Sequence, residues 1–136
     1  MAALTEEMKE VFRKMGTFVF ATSDRDGNPN AVPVNAVKVL DDETIVVSDQ
    51  FFNKTLENLQ ANPRIAMSFW KGVKGWQIKG DARLVTEGPV YEETAAWIDD
   101  IAKQVDKPLK SKGAVVIKIT EIYSVTPGPG AGDRVA

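Results

Sequence analysis

Short β-forming segments joined by tight turns fill the first third of the chain, and they constrain its fold more than any other feature. Residues 17–23 are rich in strand-forming types, and the Asp26-Gly27 pair that follows is a strong hairpin signal. Two more predicted strands come next, at 30–40 and 44–48. Because tight turns join antiparallel neighbours, we expect these three strands to form a meander.

The rest of the chain adds three strands and places them among helices. The further predicted strands are 64–70, 76–86 and 114–125, and the predicted helices are 3–15, 55–61 and 90–105. The helices do not alternate with every strand, which argues against a doubly wound parallel sheet. The pattern therefore predicts one domain over residues 1–136, mainly β with flanking helices. We expect a six-stranded, mostly antiparallel, closed or split β-barrel, with residues 126–136 as an extended C-terminal tail.

The chain has no cysteine and no histidine, and these two absences exclude several kinds of chemistry. Without cysteine there are no disulfides, thiolate nucleophiles or cysteine-ligated iron–sulfur clusters. Without histidine, Ser-His triads, histidine-ligated haem and most catalytic metal sites are excluded as well, and we expect no metal. Any reaction would depend on carboxylates, lysines and hydroxyls, or on a bound cofactor.

Charge and hydropathy restrict the partners of the protein. Its 17 basic and 19 acidic residues give a net charge of −2, which argues against a nucleic-acid surface. No apolar run approaches the roughly 20 residues that a membrane span needs. The first residues lack the basic flank and apolar stretch of a signal peptide. We therefore expect a cytoplasmic protein that binds neither nucleic acid nor membrane.

The first candidate binding segment lies at the start of predicted helix 55–61. The first turn of a helix carries unpaired N–H groups and a partial positive charge, which together suit a phosphate. Lys54 adds a full charge, while Asn53, Thr55 and Asn58 add donors. The alternative is that Asn53 or Thr55 only caps the helix and Lys54 is solvated. Because such caps are very common, this segment alone favours the alternative.

Two other segments are candidates for contact with a planar ring. Pro33 removes a backbone donor, which predicts an edge or a bulge in strand 30–40, and Asn35 follows it. Such a strand could hydrogen-bond the edge of a heterocycle, although an edge strand with an outward Asn35 is favoured on these residues alone. Trp76 could cover a ring or an interface, and Gln77 could reach a polar edge. A hairpin with a core tryptophan is an equally good interpretation.

Taken in order, these segments resemble the pyridoxamine 5′-phosphate oxidase-like FMN-binding split-barrel proteins. The resemblance covers nearly the whole chain, from the N-terminal helix to Val125. The segments that carry it are 17–23 with its Asp-Gly turn, Val-Pro-Val-Asn at 32–35, Asn-Lys-Thr-Leu-Glu-Asn-Leu at 53–59 and Asn-Pro-Arg-Ile-Ala at 62–66. Their order and spacing, rather than any single segment, make the resemblance specific.

The resemblance implies a split barrel that forms a homodimer and binds FMN in a groove at the subunit interface. The implied cofactor-binding residues are Asn53, Lys54 and Thr55 at the phosphate; Pro33, Val34 and Asn35 at the isoalloxazine ring; Ser48, Asp49 and Gln50 along the ring and ribityl chain; and Trp76 and Gln77 from the partner subunit. It identifies no catalytic residue.

The chain also departs from true pyridoxamine-phosphate oxidases, which are longer and end in a substrate segment bearing arginine and tryptophan. Here Arg134 is the only arginine in the tail, and no tryptophan follows Trp97. We therefore do not expect that specific activity. Three functions remain open: an FMN-dependent oxidoreductase, a non-enzymatic FMN-binding electron carrier, and a binder of the deazaflavin coenzyme F420. The redox partner is expected to be a small molecule or a protein.

Overall fold

A single seven-stranded antiparallel sheet organises the computed structural model, which describes residues 2–136. The helices of this part of the chain are α1 (Glu6–Lys14), α2 (Lys54–Ala61) and α3 (Pro89–Val105). Its strands are β1 (Phe18–Ser23), β2 (Pro29–Val34), β3 (Val37–Asp41), β4 (Thr44–Asp49), β5 (Arg64–Lys71), β6 (Lys74–Val85) and β7 (Gly113–Ser124). The predicted fold class, mainly β and antiparallel with flanking helices, is confirmed.

The predicted strand 30–40 is in fact two strands, so the sheet has seven strands instead of six. β2 pairs with β1 and β3 pairs with β4, yet β2 and β3 lie at opposite ends of the strand order β2-β1-β5-β6-β7-β4-β3. The predicted three-strand meander is therefore wrong, and two separate hairpins take its place. The break has a local cause, since the N–H of Val37 donates to Asn35 O at 3.0 Å and turns the chain.

The link between β2 and β3 shows that the sheet is curled. Only Asn35 and Ala36 separate the two edge strands of a seven-stranded sheet, so its two edges must come close together there. The N–H of Ser48 in β4 donates to Ala36 O at 3.0 Å and ties the link to the far edge. The result is a half-open barrel whose seam runs past Asn35. Pro33 lies in edge strand β2, as its missing N–H predicts.

Apolar side chains fill the concave face of the sheet, and α1 closes it. Phe18, Phe20 and Phe69 are each at most 1% exposed. The ring of Phe12 on α1 lies 4.5 Å from the ring of Phe69 and 4.9 Å from that of Phe18, measured between centroids. Thr5 caps α1, because its Oγ1 accepts the N–H of Met8 at 3.2 Å. The apolar helix face read from the sequence is thus the one that packs on the barrel.

Helix α3 packs on the outside of the sheet, against β4 and β7. A small second cluster of Val46, Ala114 and Val116 lies under it, with Val85 and Val90 beside it. The helix starts at a proline, as predicted, and ends at Asp106, whose left-handed backbone (φ 53°) redirects the chain. Between residues 2 and 136, no helix has the length and apolar character that crossing a membrane requires.

The tail, residues 126–136, contains no helix and folds back along β7. The N–H of Ser124 donates to Asp133 O at 2.9 Å. The N–H of Val135 donates to Ile122 O at 2.8 Å. Because β4 pairs only with the first half of β7, the tail covers the edge that β4 leaves free. An uncovered strand edge is a template for association with other chains, so the tail protects the sheet.

Removing residues 131–136 should expose this edge. We expect the amide hydrogens of Ile122 and Ser124, whose acceptors lie in the tail, to exchange faster with solvent, and the shortened protein to self-associate. Hydrogen exchange measured by NMR and light scattering would test both effects. The amides of residues 114–118, which lie in the part of β7 paired with β4, provide the internal control. Unchanged exchange at Ile122 and Ser124 would contradict the role given to the tail.

Candidate functional site

A groove of about 810 Å³ lies where the seam of the barrel meets α2 and the end of α3. Its walls come from four parts of the chain. They are Thr17 with Asn30 and residues 32–36 around β2 and the link; Ser48, Gln50, Phe51 and Phe52 after β4; Asn53, Lys54 and Thr55 at α2; and Ile98, Ile101, Val105, Lys107 and Leu109 at α3 and beyond. Eight of the eleven predicted site residues line it: Pro33, Val34, Asn35, Ser48, Gln50, Asn53, Lys54 and Thr55. The structure thus brings together segments up to 22 positions apart in the sequence, from Pro33 to Thr55.

The start of α2 presents free backbone donors to the groove. The first intrahelical bond runs from the N–H of Glu57 to Asn53 O at 3.1 Å. The N–H groups of Lys54, Thr55 and Leu56 have no acceptor within residues 2–136. Asn53 has φ −132° and ψ −86°, and its side chain makes no capping hydrogen bond. The capping role for Asn53 is therefore not what the structure shows, and the first turn remains open to an anion.

Positive charge accompanies these donors. Lys54 is exposed, and within residues 2–136 its ammonium group forms no ion pair. Lys107 is the other charged residue among those lining the groove, and no carboxylate is among them. The electrostatic character of the groove is therefore cationic, although the chain as a whole carries a net charge of −2.

A buried hydrogen-bond network holds α2 against the first hairpin. The Nδ2 of Asn30 lies 3.1 Å from Thr55 Oγ1 and 3.2 Å from Thr22 Oγ1. The Nδ2 of Asn58 donates to the same Thr22 Oγ1 at 3.0 Å, so Asn58 faces β1. Asn58 does not line the groove, and the prediction that it is a donor there is wrong. Thr55 is 4% exposed, and its hydroxyl accepts one bond while its own proton remains available. The hydroxyl of Thr55 is thus held in place at the groove.

Ser48 and Asp49 differ in position although they are neighbours. Ser48 lines the groove, and its Oγ donates to Ser111 Oγ at 2.7 Å. Asp49 is not among the lining residues, and it is 2% exposed. Its carboxylate accepts the N–H of Phe52 at 2.9 Å and lies 3.8 Å from Lys112 Nζ. Asp49 therefore shapes the loop before α2, whereas the sequence placed it beside the ring and ribityl chain.

Gln50 carries a buried acceptor that nothing in the described chain satisfies. Its Oε1 has no hydrogen-bond partner within residues 2–136, and its side chain lines the groove. Leaving a buried carbonyl unpaired costs about 1–3 kcal/mol, so such groups are uncommon and call for an explanation. A ligand that carries an N–H group would satisfy this acceptor.

Trp76 and Gln77 lie outside the groove of their own chain. Trp76 is 5% exposed, and its ring stacks on that of Phe69 with 5.5 Å between centroids. The interpretation as a hairpin with a core tryptophan is therefore the one that the structure shows. Gln77 is half-buried on β6, in register with Ser68 and Tyr123. A contribution from either residue to a partner's groove remains a prediction.

Helix α3 forms a wall of the groove that the sequence interpretation missed. Ile98, Ile101 and Val105 lie on one apolar stripe of α3, and all three line the groove. Ile98 is 1% exposed, but Val105 is 48% exposed, so the stripe extends beyond the sheet that it covers. Phe51 was also missed, and it is 79% exposed at the rim.

Comparison with known proteins assigns the family. The sequence model of the pyridoxamine 5′-phosphate oxidase family matches residues 4–126, so the chain belongs to this family. An uncharacterized protein of Methanocaldococcus jannaschii is 42% identical over 141 aligned residues, which cover 98% of this chain and 88% of that protein. The resemblance drawn from the sequence is thereby confirmed.

Solved structures show the same fold. HupZ of Group A Streptococcus superimposes with a TM-score of 0.80 at 27% identity, over 95% of this chain and 99% of that one. An FMN-binding protein of Syntrophomonas wolfei gives 0.74 at 17% identity, over 86% and 82% of the two chains. An F420 reductase gives 0.66 at 18% identity, over 88% and 98%. The split-barrel fold is therefore shared among proteins named for different cofactors.

Proposed function

We propose that the groove binds FMN and that the protein is an FMN-dependent oxidoreductase. One observation supports the proposal: the open first turn of α2 and Lys54, which forms no ion pair within residues 2–136, offer donors and charge suited to a phosphate in a groove that is also lined by Gln50, whose Oε1 is unsatisfied. Family membership supports it, as does the fold shared with the FMN-binding protein of Syntrophomonas wolfei.

The donors at α2 fit a phosphate monoester. Three backbone N–H groups, the Thr55 hydroxyl and the Lys54 ammonium are available there. A hydrogen bond to a charged group contributes about 1.5–3 kcal/mol, so several of them would hold a phosphate after the cost of association is met. The network through Asn30 keeps the Thr55 hydroxyl in place, and little ordering is then needed on binding.

The rest of the groove fits a flat, mostly apolar ring with a polar edge. Pro33 and Val34 provide an apolar strand edge, and Asn35 follows at the seam. An isoalloxazine ring carries one N–H on its pyrimidine edge, which the Oε1 of Gln50 would accept. Ser48 lies on the same wall. We assign these residues, with Asn53, Lys54 and Thr55, as the cofactor-binding set.

Bound FMN would supply hydride-transfer chemistry that this chain lacks by itself. The residues of the groove bind and orient the ring and exclude water from it. No carboxylate lines the groove, and the sequence has no histidine, so we assign no acid or base there. A non-enzymatic electron carrier needs the same binding residues. Reduction of the bound flavin by NADH or NADPH would favour an enzyme, and reduction by a protein partner alone would favour a carrier.

A deazaflavin is the second candidate ligand. Coenzyme F420 also has a phosphate group, as a diester with one negative charge, and a ring N–H, so the start of α2 and Gln50 suit it too. The fold shared with an F420 reductase is the observation in its favour. Competition between FMN and F420 for the purified protein would decide between the two.

Replacing Lys54 by alanine should weaken FMN binding about tenfold, because one charge-assisted hydrogen bond to the phosphate is lost. The measurement is a titration of flavin-free protein with FMN, followed by visible absorbance and flavin fluorescence. Lys103→Ala on α3 removes the same charge outside the groove and should leave the affinity unchanged. If the unmodified protein acquires no flavin spectrum, the proposed function is wrong. If the unmodified protein binds FMN and Lys54→Ala binds it equally tightly, the phosphate assignment is wrong.

Replacing Gln50 by methionine should change stability and affinity in opposite directions. The flavin-free protein should gain about 1 kcal/mol in its free energy of unfolding, because a buried unpaired acceptor is removed with little change in shape. FMN affinity should fall by roughly tenfold, because the ring loses a hydrogen bond. Urea unfolding and FMN titration measure the two effects. Gln60→Met, on the exposed face of α2, is the matched control. A fall in both quantities would contradict the role given to Gln50.

We further propose that the protein is a homodimer with the flavin at the subunit interface. Phe51, Trp70 and Val73 are 79%, 43% and 77% exposed, which is more apolar surface than a small barrel usually leaves in water. Light scattering at micromolar concentration should give twice the mass of the chain. Phe51→Ser, at the rim of the groove, should shift the protein toward monomer and also lower FMN affinity. A monomeric mass for the unmodified protein would refute the dimer.

A further inference from the structure

The groove is lined by a second lysine, Lys107, which lies on a different part of the chain from the open turn of α2. Lys107 lies just after α3, whereas Lys54 lies at the start of α2. Both line the same groove, and within residues 2–136 neither forms an ion pair. Lys107 is fixed through its backbone, because its N–H donates to Ala102 O at 3.1 Å and its carbonyl accepts the N–H of Leu109 at 2.9 Å. The cation is therefore attached to an ordered turn at the groove wall.

Apolar groups surround this second cation. Ile101, Val105 and Leu109 line the groove beside Lys107, and we call these four residues the α3 wall. Ile101 and Leu109 are half-buried, and Val105 is 48% exposed. Along the same stripe, Ile98 is 1% exposed, so the apolar surface of the stripe increases toward the end of the helix that lines the groove. Exposed apolar surface of this kind marks a place that a ligand or a partner covers.

We propose that the α3 wall binds the compound with which the bound cofactor reacts, and that this compound has an apolar body and an anionic group. The anion pairs with Lys107, and the apolar body covers Val105, Ile101 and Leu109. Carboxylate, sulfonate and phosphate groups share the required chemistry. The absence of any carboxylate among the lining residues favours an anion over a cation. The inference rests on the proposed function, because the proposed function assigns the flavin to the side of the groove formed by β2, β4 and α2.

A pair of probes with one aromatic body tests the proposal. FMN-loaded protein is titrated calorimetrically with naphthalene-2-sulfonate and with the uncharged naphthalene-2-sulfonamide. The sulfonate should bind roughly fivefold more tightly at low ionic strength, the size expected for one solvent-accessible ion pair. Lys107→Gln should abolish this preference. Lys110→Gln removes the same charge from the same loop but does not line the groove, and it should keep the preference.

The possible results separate this proposal from the proposed function. Equal affinity for the two probes, or equal effects of the Lys107 and Lys110 variants, would overturn the role proposed for the α3 wall and would leave the proposal of FMN binding intact. A loss of FMN affinity in Lys107→Gln as large as in Lys54→Ala would also overturn it, because Lys107 would then belong to the phosphate site. If the protein takes up no FMN, the proposed function fails, and the same titration on flavin-free protein still decides whether Lys107 selects the anion.

Discussion

The two-residue link between β2 and β3 is the constraint on which the rest of the structure depends. It joins the two edges of a seven-stranded sheet, and the N–H of Ser48 fixes it to β4 through Ala36 O at 3.0 Å. An antiparallel sheet joined in this way must curl, and its inside then becomes the apolar core that α1 closes. The same link places Pro33 and Asn35 opposite Ser48, beside the loop that leads to α2. The link that closes the barrel thus also brings the residues of the groove together.

Much of the fold could be predicted because it is encoded locally. The Asp-Gly turn, the Thr5 cap and the apolar face of α1 each depend on residues close in sequence, and each is present. The end of α2 could also be placed, because Pro63 disfavours helical backbone in the residue before it and so limits the helix. Local signals of this kind specify hairpins and helix ends well. Local signals alone favoured a helix cap at Lys54 and Thr55, and it was the family resemblance that placed them at a groove, which both line.

The predictions from the sequence failed where contacts between residues far apart in the sequence determine the structure. Valines continue through 30–40 without a visible break, so nothing local shows that the strand splits at Asn35 and changes partner from β1 to β4. The family resemblance gave Asp49 a place along the cofactor, which stays a prediction; its carboxylate accepts the N–H of Phe52 and lies 3.8 Å from Lys112 Nζ, contacts that no local pattern indicates. The role of α3 as a groove wall depends on how far the helix extends past β4 and β7, which no spacing along the chain reveals.

The composition of the groove has a further consequence for its response to acidity. Its charged groups are lysines, and the side chain that ordinarily titrates between pH 5 and 8, histidine, is absent from the sequence. A phosphate monoester, by contrast, loses its second proton near pH 6. Because the sequence offers no histidine to titrate near that pH, a change of binding there is expected to follow the second ionisation of the ligand's phosphate.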